Sequence, residues 1–125
     1  SREVVRVKQL ENVLDLFYNK GGFEFTLNYL IGKSEMTPFD FYTELSDYYY
    51  IKGYQHRSHS KEDLYRILYG YAMWKCRHSG VDREEAIRYL EQDMKLRLNE
   101  DAVRKFMKKG WEFPQEKRWQ ENIRI

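Results

Sequence analysis

The sequence predicts an all-α domain, a compact bundle of about five to six helices around a buried central helix at about 60–77. Three observations carry this. Apolar residues recur at three- and four-residue steps through most of the chain. No segment sustains the β-branched alternation of a strand. Residues that start helices (Thr37, Ser60, Asp82, Asn99) and glycines that stop them (Gly21, Gly53, Gly80, Gly110) stand at the ends of the periodic runs.

The central helix is read from SKEDLYRILYGYAMWKCR, Ser60 to Arg77. Leu64, Ile67, Leu68, Tyr71 and Ala72 share one stripe, widened by Trp74, and Tyr65, Tyr69, Met73 and Cys76 form a second. A helix apolar nearly all round has to be surrounded by other helices. Ser60 is the expected N-cap, with Asp63 closing a capping box and Glu62 beside it at the positive helix end.

Helix one spans 2–20, with Val7, Leu10, Val13, Leu14 and Phe17 on one face, and ends at Gly21-Gly22. Its opening, SREVVRV, is already in helical pattern and reads as a cut from a longer protein. A second helix covers 23–34, with Phe23, Leu27, Leu30 and Ile31 facing one way. Thr37-Pro38 supplies a cap and a first-turn proline for a third helix to about Lys52, with Phe39, Tyr42, Leu45 and Tyr49 inward. The triplet Tyr48-Tyr49-Tyr50 cannot all face inward, so at least one ring is expected at the surface or on a partner. Tyr54 to His59 is a polar connection into the central helix. Asp82 and Glu85 form a D-x-x-E box for helix five, whose seam is Ile87, Leu90, Met94 and Leu98. Asn99 caps helix six, with Val103, Phe106 and Met107 inward. The tail after Gly110 carries Trp111, Phe113 and Trp119 without a clear period and is expected to dock its aromatics or fray.

At 125 residues, 42% apolar and 34% charged, the chain fits a single helical domain over 1–125. No run of residues is long and apolar enough to span a bilayer, and no leader-like stretch is present, so no membrane is expected and a cytoplasmic setting is. The single cysteine, Cys76, makes no internal disulfide and holds no cluster alone. A net charge of +2 is too balanced for an obligate nucleic-acid binder, whereas eleven tyrosines in a chain that is 17% aromatic suit helix packing and interfaces.

Candidate chemistry is thin. Gly32-Lys33-Ser34 matches the end of a phosphate-binding loop, but Leu27 stands where that loop needs glycine, inside a helix. His56, His59, Cys76 and His78 offer zinc ligands, yet the two pairs lie at opposite ends of the central helix, roughly 25 Å apart at 1.5 Å per residue. Cap and surface roles are expected for these histidines. Glu44 and Asp47 are expected to be solvated or ion-paired. Asp93, beside Met94 on an apolar seam, is expected to be buried and hydrogen-bonded as an anchor, with a catalytic acid as the alternative. No residue is assigned as catalytic, cofactor-binding or metal-ligating. Arg104, Lys105, Lys108, Lys109, Lys117 and Arg118, interleaved with Trp111, Phe113 and Trp119, could hold phosphates and stack bases, although nucleic acid is disfavoured against an ordinary solvated helix and a docking tail.

The order of LFYNKGGFEFTLNYL, PFDFYTELSDYYYIKGYQHRSHSKEDLYRILYGY and YLEQDMKLRL, covering roughly residues 7 to 98, resembles the uncharacterised helical C-terminal domain of cobalamin-binding-domain radical S-adenosylmethionine proteins. The matching pieces are the Asn19-Lys20-Gly21 turn, Pro38-Phe39-Asp40-Phe41, the Lys52-Gly53-Tyr54 stop, the Ser58-His59-Ser60 entry and Leu90 to Asp93. The resemblance implies a parent enzyme with a cobalamin-binding domain, then a radical barrel, then this domain. The parent would hold a four-iron, four-sulfur cluster, S-adenosylmethionine and cobalamin. Neither the Cys-x-x-x-Cys-x-x-Cys cluster motif nor an Asp-x-His-x-x-Gly cobalamin signature occurs here, so no catalytic residue or cofactor is carried onto this chain. The implied partner is the parent's own radical barrel, with Tyr48, Tyr50, Tyr54, His56 and His59 as the candidate contact surface. A free-standing interaction or homodimerisation module and an RNA-contacting appendage are the alternatives.

Overall fold

A computed structural model of the chain describes residues 1–113. The described residues form α1 (Arg2–Leu14), α2 (Glu24–Ser34), α3 (Pro38–Ile51), α4 (Lys61–Cys76), α5 (Arg83–Arg97) and α6 (Glu100–Lys109). A wider π turn, Asp15–Asn19, continues α1, and a short 3-10 turn, Tyr54–His56, follows α3. There is no strand among the described residues.

The helix starts follow from hydrogen bonds that the sequence supplies locally. Thr37 accepts from the Asp40 amide with Pro38 in the first turn, Asn99 accepts from the Ala102 amide, and Ser60 and Asp63 exchange the two bonds of a capping box. At α5 only half of the expected box forms. Asp82 accepts from the Glu85 amide, but the Tyr29 hydroxyl stands between the other two groups. It accepts from the Asp82 amide at 2.9 Å and donates to the Glu85 carboxylate at 3.2 Å. A phenol from α2 thus completes the cap of α5 and ties the helices together.

α4 is the hub. Ile67, Leu68, Tyr71 and Ala72 are fully buried, Tyr65 nearly so, and of residues 61–73 only Lys61 is exposed. α3 and α5 pack on it, α2 and α6 pack on α5, and α1 packs on α3. Phe41 meets Tyr71 edge-on at 5.5 Å between centroids, and Phe23 lies 4.6 Å from Tyr65, the tilted arrangements that aromatic quadrupoles favour. Gly70 is a costly residue inside a helix, and its reason is steric: a Cβ there would sit 2.5 Å from the Tyr48 hydroxyl.

Three sequence expectations shift. Phe39 is 69% exposed, while Phe41 takes the inward place. Two residues are about 200° apart on a helix, so the stripe through Phe41, Leu45 and Tyr49 leaves Phe39 on the far side. Trp74 is exposed and its neighbour Lys75 is buried. The Lys75 ammonium reaches Glu44 on α3 at 2.9 Å, and the Tyr71 hydroxyl donates to the same carboxylate at 2.7 Å. A charge is tolerated there because it is paired and hydrogen-bonded. Val7 belongs to no core: residues 1–8 are all exposed, and Val4, Val5 and Val7 are 54%, 53% and 54% accessible.

Two of the tail aromatics dock. Trp111 stacks on Tyr69 at 4.5 Å and meets Phe106 edge-on, and Phe113 stacks on Tyr54 at 5.4 Å beneath the Arg57 guanidinium. Arg66 reads the end of α6 by donating to the Gly110 carbonyl at 2.5 Å while paired with Asp63. Trp119, Lys117 and Arg118 lie outside the described residues.

Candidate functional site

The most constrained locality is the turn between α1 and α2. Gly21 and Gly22 have φ of +72° and +97°, a region that costs little only for glycine. α2 begins at Glu24 with Phe23 as its N-cap residue, whose side chain makes no cap hydrogen bond. The partner comes from 67 residues downstream. Asp93, fully buried on α5, accepts from the Phe25 amide at 3.2 Å, the Thr26 amide at 2.9 Å and the Thr26 hydroxyl at 2.7 Å. It is a helix cap supplied in trans, a carboxylate at the positive end of α2. Burial raises its pKa above the ordinary carboxylate range, against the lowering effect of these bonds.

One turn further along α5, Arg97 donates to the Lys20 carbonyl at 2.6 Å. Its guanidinium lies flat on the turn, so that a Cβ at Gly22 would meet it at 2.6 to 2.9 Å. Asp93 and Arg97 are an i, i+4 pair on one helix face, and each reads a helix end of opposite polarity: the acid takes the amide end of α2 and the base the carbonyl end of α1. From α4, the Tyr65 hydroxyl donates to the Gly22 carbonyl at 2.8 Å. Glu24 folds back to accept from the Gly22 amide, and its pKa is held below the usual range by backbone amide donors, its own and that of Gly22. Asp93 is therefore the buried anchor expected from its place on the seam. Arg97 was not legible as a partner, since nothing local marks a last-turn arginine as reaching another helix.

Above this turn opens a cleft of about 210 Å3, walled by Lys20, Gly21, His59, Lys61, Tyr65 and Arg97. His59 belongs both to this wall and to the aromatic cluster at the exit of α3. Its Nε2 lies 2.9 Å from the Tyr54 carbonyl and 3.0 Å from the Tyr49 hydroxyl. A carbonyl only accepts, so Nε2 carries the proton and Nδ1 the lone pair. Nδ1 is buried without a hydrogen-bond partner among the described residues, and burial lowers the His59 pKa.

The candidate contact residues are placed as follows. Tyr48 and Tyr50 are half-buried, the first with its ring against Tyr71 and Tyr54, the second accepting a bond from Asn12. Tyr54 is buried beneath Phe113. His56 is exposed, away from the cleft. Four of the five thus gather in one cluster, and only His59 reaches the cleft wall. Among the described residues no group of three His, Cys, Asp or Glu side chains is placed to hold a metal ion, and no helix is long and apolar enough to cross a membrane. Gly32-Lys33-Ser34 falls at the end of α2, not in a loop that enters a helix. Phe113 is buried and Trp111 half-buried against their own domain, in the region whose aromatics could have stacked bases.

The sequence model of one family, described as a protein of unknown function (DUF4080), matches residues 1–124. No curated protein and no solved structure matches the chain.

Proposed function

Since the chain belongs to the DUF4080 family, we propose that it serves as an accessory helical domain of a larger cobalamin-binding, radical S-adenosylmethionine, iron–sulfur enzyme. In this reading the domain packs beside the radical barrel and contributes to substrate choice or assembly. The cofactors belong to the parent's other domains, and no chemical step is assigned to a residue of this chain. The order of the motifs between residues 7 and 98 supports the link to that class of enzyme.

The observation that carries the docking role is the apolar stem of α1. Its first two turns expose Val4, Val5 and Val7, and among the described residues the ion pair they make is Arg6 with Asp47 at 3.0 Å. Isolated helix of this length is marginal in water, and an ion pair between exposed side chains contributes about 0–1 kcal/mol. A helix end that leaves its valines exposed is suited to lie against a second apolar surface.

The test is S-adenosylmethionine cleavage and thermal stability of the parent, with and without this domain, together with a Val4→Lys/Val7→Lys parent. Loss of turnover or stability in both supports the reading. Unchanged turnover and unchanged stability on deletion refute it. The same valines would also serve a homodimer. A concentration-dependent dimer of the 125-residue chain, abolished by the lysine pair, would favour the free-standing module instead.

A further inference from the structure

We propose that the cleft above the Gly21–Gly22 turn binds a compact, multiply charged oxyanion, such as the phosphate group of a small phosphorylated molecule. The inference is independent of the docking role and rests on charge, shape and the commitments of the neighbouring carboxylates.

Three cations line the cleft, each from a different element: Lys20 after α1, Lys61 in the first turn of α4 and Arg97 in the last turn of α5. No carboxylate lines it. None of the three cations makes an ion pair among the described residues, where every other ion pair lies elsewhere. The acids that stand nearby point their oxygens at other donors and stay off the cleft wall. Glu24 holds the Gly22 amide, and Asp63 holds the Ser60 amide and Arg66. The fold therefore gathers like charge from three distant points of the sequence, three cations on the cleft wall against one nearby carboxylate, Glu24, which acts on Arg97 from outside the lining. An anion entering there gains from all three, and the gain is larger in a walled cleft than on open surface.

The remaining groups suit an oxyanion. Arg97 spends one N–H on the Lys20 carbonyl, and a guanidinium has five. The Ser60 hydroxyl, which accepts from the Asp63 amide, lines the cleft and keeps its own proton to donate. Leu16, Phe23 and Leu64 form apolar wall, a place for a short carbon skeleton beside the charged group. The cleft, about 210 Å3 and open to solvent on one side, has room for a phosphate group with a short carbon skeleton. The His59 ring on the wall reports occupancy without being needed for it.

The experiment is a titration of the 125-residue chain with inorganic phosphate and with pyrophosphate, followed by amide and imidazole NMR shifts, with chloride at matched ionic strength as the control. The expected result is saturable movement of Gly21, Gly22, Ser60, Lys61 and the His59 ring, tighter for pyrophosphate than for phosphate. Lys20→Gln/Lys61→Gln leaves the Arg97 contact to the turn in place, so it should keep the wild-type fold and bind about tenfold or more weakly, as expected for losing two charge-assisted contacts. The proposal is overturned by no saturable shift up to roughly 10 mM, the weak end of specific affinity. It is equally overturned by equal shifts with chloride, or by undiminished binding in a folded double variant.

Discussion

Two parts of helix one, a few turns apart, have opposite fates. At its far end the chain enters the Gly21–Gly22 turn, where Asp93, Arg97, Tyr65 and Glu24 together satisfy the backbone of the turn and the start of α2. At its near end the valines Val4, Val5 and Val7 stand in solvent beside one ion pair. Both ends look alike on a hydrophobic period, as Val7, Leu10, Val13, Leu14 and Phe17 keep the same spacing. Val13 and Phe17 are buried in the core and Leu10 and Leu14 pack against it, whereas Val7 does neither. Periodicity says which face a helix would bury; it says nothing of whether another element is present to bury it.

The contrast can be broken most sharply at Asp93. Asp93→Ala strips two amides and a hydroxyl of their acceptor in a buried place, and should cost about 3 kcal/mol, the sum of a lost cap and an unsatisfied buried donor. Urea unfolding checks this; Asp93→Asn, which keeps one acceptor, should lose less. Gly22→Ala comes next, at about 2 kcal/mol, because φ stays positive and Arg97 must leave the turn. If both substitutions prove neutral, the turn is not the constraint described.

Gly70→Ala tests the hub at the level of one hydroxyl. Alone it should destabilise by about 1 kcal/mol, through contact with Tyr48. In a Tyr48→Phe background the sign should reverse, because the next atom of that ring is 3.7 Å away and alanine is favoured over glycine in a helix by about 1 kcal/mol. Chemical denaturation of the four chains measures the coupling.

A smaller effect is expected from His59. Burial places its folded pKa below the ordinary 6.5, so the unfolded chain takes up the proton first. Its contribution is complete above about pH 6.5 and is lost as the pH falls through the folded pKa. His59→Gln should flatten that part of the stability profile between pH 7 and 5, read by denaturant midpoints; an unaltered slope would show that His59 does not titrate as described. The smallest effect belongs to the stem. Val7→Ser should change the stability of the chain by no more than about 0.5 kcal/mol. A loss as large as that at Asp93 would mean that the stem is part of the core after all.

Much of this was legible because it is local. Thr37, Ser60 and Asn99 cap their helices within three residues, Gly21 and Gly22 carry their backbone requirement in their identity, and the apolar circumference of α4 marks it as the helix to be enclosed. Asp93 was visible as an oddity, a charge on an apolar seam. What it caps was not visible, since the two ends of those bonds are 67 residues apart. Lys75 was missed for the same reason: the charge that pairs with it, Glu44, sits on another helix, and a lysine in a helical run ordinarily stays in water.

The sequence by itself determined which segments are helical, where they start and stop, and which helix is central. These are properties of a few neighbouring residues, set by backbone sterics, caps and side-chain period. Tertiary structure alone decided that Phe41 and not Phe39 turns inward, that a tyrosine from α2 finishes the cap of α5, and that Lys20, Lys61 and Arg97 meet around one cleft. Those outcomes depend on the angles and offsets at which helices pack. Such offsets are fixed by many side chains acting together, and no short stretch of the chain contains them.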